Sequence, residues 1–248
     1  MSELWEAEAR RYDAGYDSTG RAGRVIRARQ EAAIGLLGDG LGIARVLDVG
    51  MGGGRLCTAL ADNGWEVAGV DPSEAMVALA RSRLPGAAET LVVGRAEELP
   101  FPDASFDAVT ALGSLEYTRD LDAALREIAR VMPVKGRAVL SWPNYGGLTP
   151  LWRGRVLYPS LRAIKRILPV GRPVPPPASL PLPLDKFLEA CGDARLFMAI
   201  AAYIYPSGRV HWGDADGFVI RADGRVRRGR NPAARFSQIL CTAIRITP

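Results

Sequence analysis

From Ala44 onward, short apolar runs alternate with amphipathic stretches, the rhythm of βα units. Residues 45–49 read as a strand apolar on both faces, 55–63 as a helix and 65–70 as a second strand. Ser73, followed by Met76, Val77 and Ala80, has the pattern of an N-cap and a helical stripe. Residues 91–93 and 106–111 are the next strands. Leu121, Leu125, Ile128 and Met132 share one face of a helix over 121–132, and 137–142 is a fifth strand. The pattern predicts an α/β fold with an open, mainly parallel sheet and helices on both faces.

The flanks are less regular. Residues 1–40 read as a helical cap, with Val25, Ile26, Ile34, Leu36 and Leu37 available for packing. Residues 146–184 are rich in proline and basic residues, and no acid falls between Glu127 and Asp185. Leu157, Leu161, Ile164 and Leu168 share a helical face there, opposite Arg155, Arg162 and Arg166, with Pro159 starting or kinking the helix. This segment reads as an inserted lid over an acceptor, held off the membrane, although contact with a membrane surface is a second reading. A short helix and strand-like runs (196–205, 218–221, 238–246) complete residues 185–248. The whole is expected to be one domain over 1–248, with its cofactor-binding core at 44–143.

The 248 residues suffice for one sizeable core, and 48% hydrophobic with 24% charged is ordinary for a globular chain. No apolar run approaches the roughly 20 residues of a membrane span. The first ten residues are acidic and polar where a signal peptide would be basic and then apolar. Cys57, Cys191 and Cys241 match no metal spacing, so a reduced, cytoplasmic setting is expected, with no bound metal. The net charge of +5 leaves nucleic acid open as a minority partner.

The chemistry concentrates in VLDVGMGGG, residues 46–54. Gly50, Gly52 and Gly54 form a turn that lets a ligand approach the backbone closely. A dinucleotide-binding loop would carry a third glycine where this chain has Arg55, and would set a pyrophosphate on the helix N-terminus. Asp48, two residues before the first glycine, would repel that pyrophosphate and suits a ligand with an ammonium group. The amino-acid end of S-adenosyl-L-methionine is such a ligand. Asp71, ending the second strand, can accept hydrogen bonds from both hydroxyls of a ribose, each worth about 1.5–3 kcal/mol. A loop after the third strand, GRAEELPFPDASFD, can close over adenine.

With these motifs in view, residues 44–143 resemble the cofactor-binding core of class I S-adenosylmethionine-dependent methyltransferases, the broad family that includes the ubiquinone and menaquinone biosynthesis enzymes. The resemblance is carried by VLDVGMGGG, VAGVDPSEAMVALAR, LPFPDASFDAV and ALREIARVMPVKGRAVLSWPN. It implies a Rossmann-like fold with an antiparallel last strand. It also implies that Asp48, Gly50 and Gly52 contact the methionine moiety, Asp71 the ribose and Ala96 the adenine. Pro72 and Glu97 belong to the same cofactor set, Met76 packs on adenine, and Leu112 lines the methyl-donor end. The sequence departs from the family at Arg95, where an acid often bonds the adenine amino group. It departs again at Leu112-Gly-Ser-Leu-Glu-Tyr117, where histidines are frequent.

Arg10-Arg-Tyr-Asp-Ala-Gly-Tyr-Asp17 resembles the segment that folds over the cofactor in many relatives. Tyr12 and Tyr16 would then shield the sulfonium and bond the methionine carboxylate; the other reading is a pair of aromatics packing a surface helix. Glu116, facing the acceptor, and His211, the single histidine, are the candidates for a general base. Neither is required, since in-line displacement at a sulfonium can be driven by proximity and orientation. The expected activity is methyl transfer to a small acceptor, a specialised metabolite or a quinone- or lipid-like compound. The alternatives are a nucleic-acid methyltransferase, whose Asn/Asp-Pro-Pro-aromatic and Pro-Cys signatures are missing, and a non-methylating enzyme using the cofactor as a fixed charge.

Asp71→Ala should weaken cofactor binding by about 2 kcal/mol or more. Arg95→Ala should cost less, because the family's adenine contact is already replaced there. Calorimetry showing equal losses would contradict this assignment of the adenine loop.

Overall fold

The computed structural model describes residues 9, 13, 20–38, 44–142, 184–204, 210–213, 218–220, 226–228 and 238–245. Five strands of the sheet run parallel in the order β3-β2-β1-β4-β5: β1 (Arg45–Val49), β2 (Glu66–Asp71), β3 (Leu91–Val93), β4 (Ala108–Ala111) and β5 (Arg137–Trp142). Beyond β5 the sheet continues through β10 (Gln238–Arg245), β6 (Leu196–Ile204) and β7 (Val210–Gly213). β10 is antiparallel to both β5 and β6, so the last strand of the chain is inserted against the grain of the sheet. β8 (Phe218–Ile220) and β9 (Val226–Arg228) form a separate antiparallel pair. This is the open, mainly parallel sheet that the sequence pattern predicts, with the antiparallel last strand that the resemblance implies. The fourth strand starts two residues later than expected because Asp107 acts as a clasp. Its carboxylate accepts the Ala44 and Arg45 N–H groups, both at 2.9 Å, at the head of β1.

Period-2 alternation sorts each strand between two cores. Leu47, Val49, Val109, Ala111, Ala138, Leu140 and Trp142 face one side, under α4 (Leu121–Val131) and α5 (Leu184–Asp193). Trp142 stacks on Phe187 of α5, with centroids 4.4 Å apart. Val46, Ala108 and Val139 face the other side, under α1 (Arg21–Gly38), α2 (Arg55–Asp62) and α3 (Glu74–Arg83). The inward stripe of α1 is Ala28, Ala32, Ala33, Leu36 and Leu37, while Val25 and Ile34 are only partly buried. Small alanines let α1 lie close to the strands. Caps set two of the starts: Ser73 Oγ accepts Met76 N–H at 3.2 Å, and Asp120 accepts Ala123 N–H at 2.9 Å.

Among the described residues no helix is long and apolar enough to cross a membrane. Tyr12, Tyr16 and residues 146–183 of the inserted segment lie outside the described residues.

Candidate functional site

The same alternation that fills the α1-side core with Val46, Ala108 and Val139 turns Asp48, Thr110 and Ser141 to that side one step further along β1, β4 and β5. These three are buried polar residues. Asp48 and Thr110 are register partners, and the Thr110 hydroxyl donates to Asp48 Oδ1 at 2.8 Å. The Cys57 thiol lies 3.7 Å from Asp48 Oδ2. Ser141 Oγ accepts Gly113 N–H at 2.7 Å, and Ser114 Oγ donates to the Val49 carbonyl at 2.8 Å. The loop after β4 is thereby fastened to both neighbouring strands. Gly50 is required at its position: its φ is +76°, and a Cβ there would overlap Ser114.

Over this polar row α1 supplies Arg29, a charge within an otherwise apolar stripe and only 8% exposed. A Cβ on Gly113 would come within 2.7 Å of Arg29 Nη1, so the glycine makes room for the guanidinium. Arg29 Nε is buried with no hydrogen-bond partner among the described residues. Arg29, Asp48, Gly50, Met51 and Leu112 line one open cavity.

Asp48 is 3% exposed. Burial pushes its carboxyl up to about 6; the Thr110 and Cys57 hydrogen bonds and the charge of Arg29 pull the other way, and Asp71 adds to the rise. Its hydrogen bonds come from neutral donors, and Arg29 acts on it through charge without a hydrogen bond. Glu116, in the short 3-10 turn Leu115–Tyr117, is 7% exposed. Burial raises its carboxyl above the usual range, opposed by its own backbone N–H and by Arg29.

Asp71 stands at the end of β2. Its Oδ2 accepts Gly52 N–H at 2.9 Å and its Oδ1 accepts Ser73 N–H at 3.0 Å. Pro72 is exposed beside it, and Met76 is buried on the first turn of α3. Ala96 sits half-buried in the loop after β3. That loop is held from α4: Glu127 accepts Leu99 N–H at 2.8 Å, and Arg130 donates to the Phe101 and Leu99 carbonyls at 2.9 and 3.1 Å. Glu97 accepts Arg119 N–H at 2.7 Å and pairs with Arg95 at 3.4 Å, bridging the loops after β3 and β4.

The structure thus brings Asp48, Gly50 and Leu112 into one cavity, with Gly52 and Asp71 joined beside it. Glu116 lies on the same loop as Leu112. His211 lies on β7, the edge strand paired with β6, four strands from β4 and so about 19 Å across the sheet. Arg29, Thr110 and Ser141 were missed by the sequence reading. The signal for Arg29 was a lone charge on the apolar face of α1; for the other two it was a hydroxyl at the end of an apolar strand.

Comparison with known proteins agrees with this geometry. A family described as "Methyltransferase domain" matches residues 47–140. Over 214 residues the chain is 34% identical to a demethylmenaquinone methyltransferase of Beutenbergia cavernae, covering 84% of this chain and 82% of that one. Among solved structures, a possible histamine N-methyltransferase of Thermotoga maritima superposes with a TM-score of 0.64 at 18% identity, covering 99% and 100% of the two chains. A geranyl diphosphate methyltransferase in complex with its substrate and sinefungin superposes with a TM-score of 0.59 at 19% identity, covering 89% and 77%. The two structures show the shared fold; the sequence relative shows more. The chain belongs to the class I S-adenosylmethionine-dependent methyltransferases, of the ubiquinone and menaquinone biosynthesis type.

The residues present fit that cofactor. A buried acid and a buried arginine with an unsatisfied Nε, facing one cavity, suit the ammonium and carboxylate of an amino acid.

An ammonium ligand needs Asp48 ionised. Affinity for S-adenosylhomocysteine should therefore fall as pH drops through about 6, being roughly tenfold weaker at about pH 5 than at about pH 7.5. Stability of the ligand-free chain has the opposite sign. The folded chain holds this proton more tightly than the unfolded one, so stability is lost as pH rises from about 4 to about 6. Asp48→Asn should then raise stability at neutral pH by about 1–3 kcal/mol while removing most cofactor affinity. Calorimetry across the pH range and thermal melts of the variant check both signs.

Proposed function

We propose that this enzyme methylates a small, quinone-like or specialised-metabolite acceptor, bound between the loops after β1 and β4. The reading rests on one observation: the cavity beside Leu112 pairs Asp48 with Arg29 at the point where the sheet order reverses, between β1 and β4. Asp48 holds the cofactor ammonium and Arg29 the carboxylate. Gly50 and Gly52 give backbone access, Asp71 takes the ribose, and Ala96 and Met76 flank the adenine. When bound, the cofactor supplies an electrophilic methyl group.

Glu116 is the proton acceptor in this reading. Burial raises its carboxyl above the usual range, which makes its ionised form a stronger base toward an acceptor oxygen, nitrogen or activated carbon. Tyr117, on the loop after β4, walls the acceptor. The demethylmenaquinone methyltransferase relative supports a quinone-like acceptor.

The test is methyl-labelled S-adenosylmethionine offered with reduced demethylated naphthoquinones, simple phenols and amines, and with RNA and DNA. Label should enter a small molecule. Glu116→Gln should lower kcat about 100-fold, with cofactor affinity within about twofold of the parent. Label found in nucleic acid, or in no acceptor at all, would overturn the reading.

A further inference from the structure

The loop after β4 carries Leu112, Glu116 and Tyr117, and its two ends are held by different parts of the fold. At the near end, the ties from Gly113 to Ser141 and from Ser114 to the Val49 carbonyl make the loop part of the sheet. In the middle, the turn Leu115–Tyr117 closes on itself: Tyr117 N–H donates to the Ser114 carbonyl at 3.0 Å, and Thr118 N–H to the Leu115 carbonyl at 3.2 Å. At the far end, Arg119 N–H donates to Glu97 Oε1 at 2.7 Å. Glu97 belongs to the loop after β3, 22 positions earlier in the chain. Glu127 and Arg130 tie residues 99 and 101 further along α4, whereas Glu97 meets the loop itself, two residues after Tyr117.

The side chain of Glu97 is 16% exposed, and Arg95 Nη2 approaches the same Oε1 at 3.4 Å. Burial alone would raise its carboxyl, but the N–H groups of Arg119 and of Glu97 itself, with the Arg95 guanidinium, together bring it below the usual range. Glu97 is therefore ionised at neutral pH, and its bond to Arg119 is charge-assisted, roughly twice as strong as a neutral one. Glu97 also stands inside a four-residue turn. Glu98 N–H donates to the Arg95 carbonyl at 3.2 Å, which makes Ala96 and Glu97 the two central residues. A restraint on Ala96 is thus a restraint on Glu97.

We propose that Glu97 is a strut between the two halves of the site: adenine seated against Ala96 fixes the turn over 95–98, and Glu97 passes that restraint to Arg119 and so to the segment that carries Glu116 and Tyr117. The proposal rests on the reading that Ala96 flanks the adenine. Glu97 is then a positioning residue for the acceptor side, in place of the direct cofactor contact that the resemblance implies. Tying a loop at a second point lowers its conformational freedom, and a cofactor that stiffens the tie lowers it further.

Hydrogen exchange of the full chain, read by mass spectrometry with and without saturating S-adenosylhomocysteine, tests it. In the parent, the ligand should slow exchange at least about threefold over 113–119 as well as over 50–56. Glu97→Ala should keep the protection over 50–56 and lose it over 113–119. Glu97→Gln, whose carbonyl can still accept the Arg119 N–H, should keep both. Arg119→Pro, which deletes the donor after a Thr118 already in the extended conformation that precedes proline, should repeat the loss and decides the matter if Glu97→Ala does not fold. Protection over 113–119 that survives in these variants, or that is missing from a parent protected over 50–56, overturns the strut and leaves the cofactor reading standing. A parent chain with no protection in either segment contradicts the cofactor reading, and the strut with it.

Discussion

A carboxylate buried at the end of the central strand of an apolar sheet is costly unless something charged meets it. Asp48 is in that position. The Thr110 hydroxyl and the Cys57 thiol are neutral partners that offset only part of that cost, and burial drives its carboxyl up to about 6. Arg29 faces the same cavity with its own unmet Nε. The chain thus keeps a carboxylate and a guanidinium facing one cavity with no hydrogen bond between them. An amino acid zwitterion meets both needs at once, which turns a folding cost into binding selectivity.

Much of the remaining structure serves to hold those two groups in place. Alternation along β1, β4 and β5 puts Asp48, Thr110 and Ser141 on one face, and the alanine stripe of α1 lets Arg29 descend onto it. Gly113 gives the guanidinium space, while Ser141 and Ser114 tie its loop to β5 and β1. At the adenine end the loop after β3 is pinned by Glu127 and Arg130 of α4. The sheet carries one layer of recognition along its edge, and the anchoring charges come from α1 and α4.

The strands and helices of residues 44–142 were legible because both faces of the sheet are covered, so apolar runs and stripes read without ambiguity. Asp48 and Asp71 were legible because an acid beside a glycine turn has few structural uses. An antiparallel last strand was expected, but its place between β5 and β6 and the short strand β9 were not. Short edge strands carry little apolar pattern, and their pairing partners are distant in sequence. Arg29 was hidden for a different reason: α1 gives no sign of which residues lie under which loop until the sheet order is known.

The central claim is that the cofactor is recognised through its amino-acid end, by Asp48 and Arg29 together. The direct measurement is the affinity of the ligand-free chain for S-adenosylhomocysteine against 5′-methylthioadenosine, which keeps the nucleoside and lacks the zwitterion. The account predicts that the truncated nucleoside binds at least about 100-fold more weakly, and that Arg29→Met closes much of that gap by weakening only the intact ligand. Affinities within about threefold of each other would show that the nucleoside alone is read, and would contradict the account.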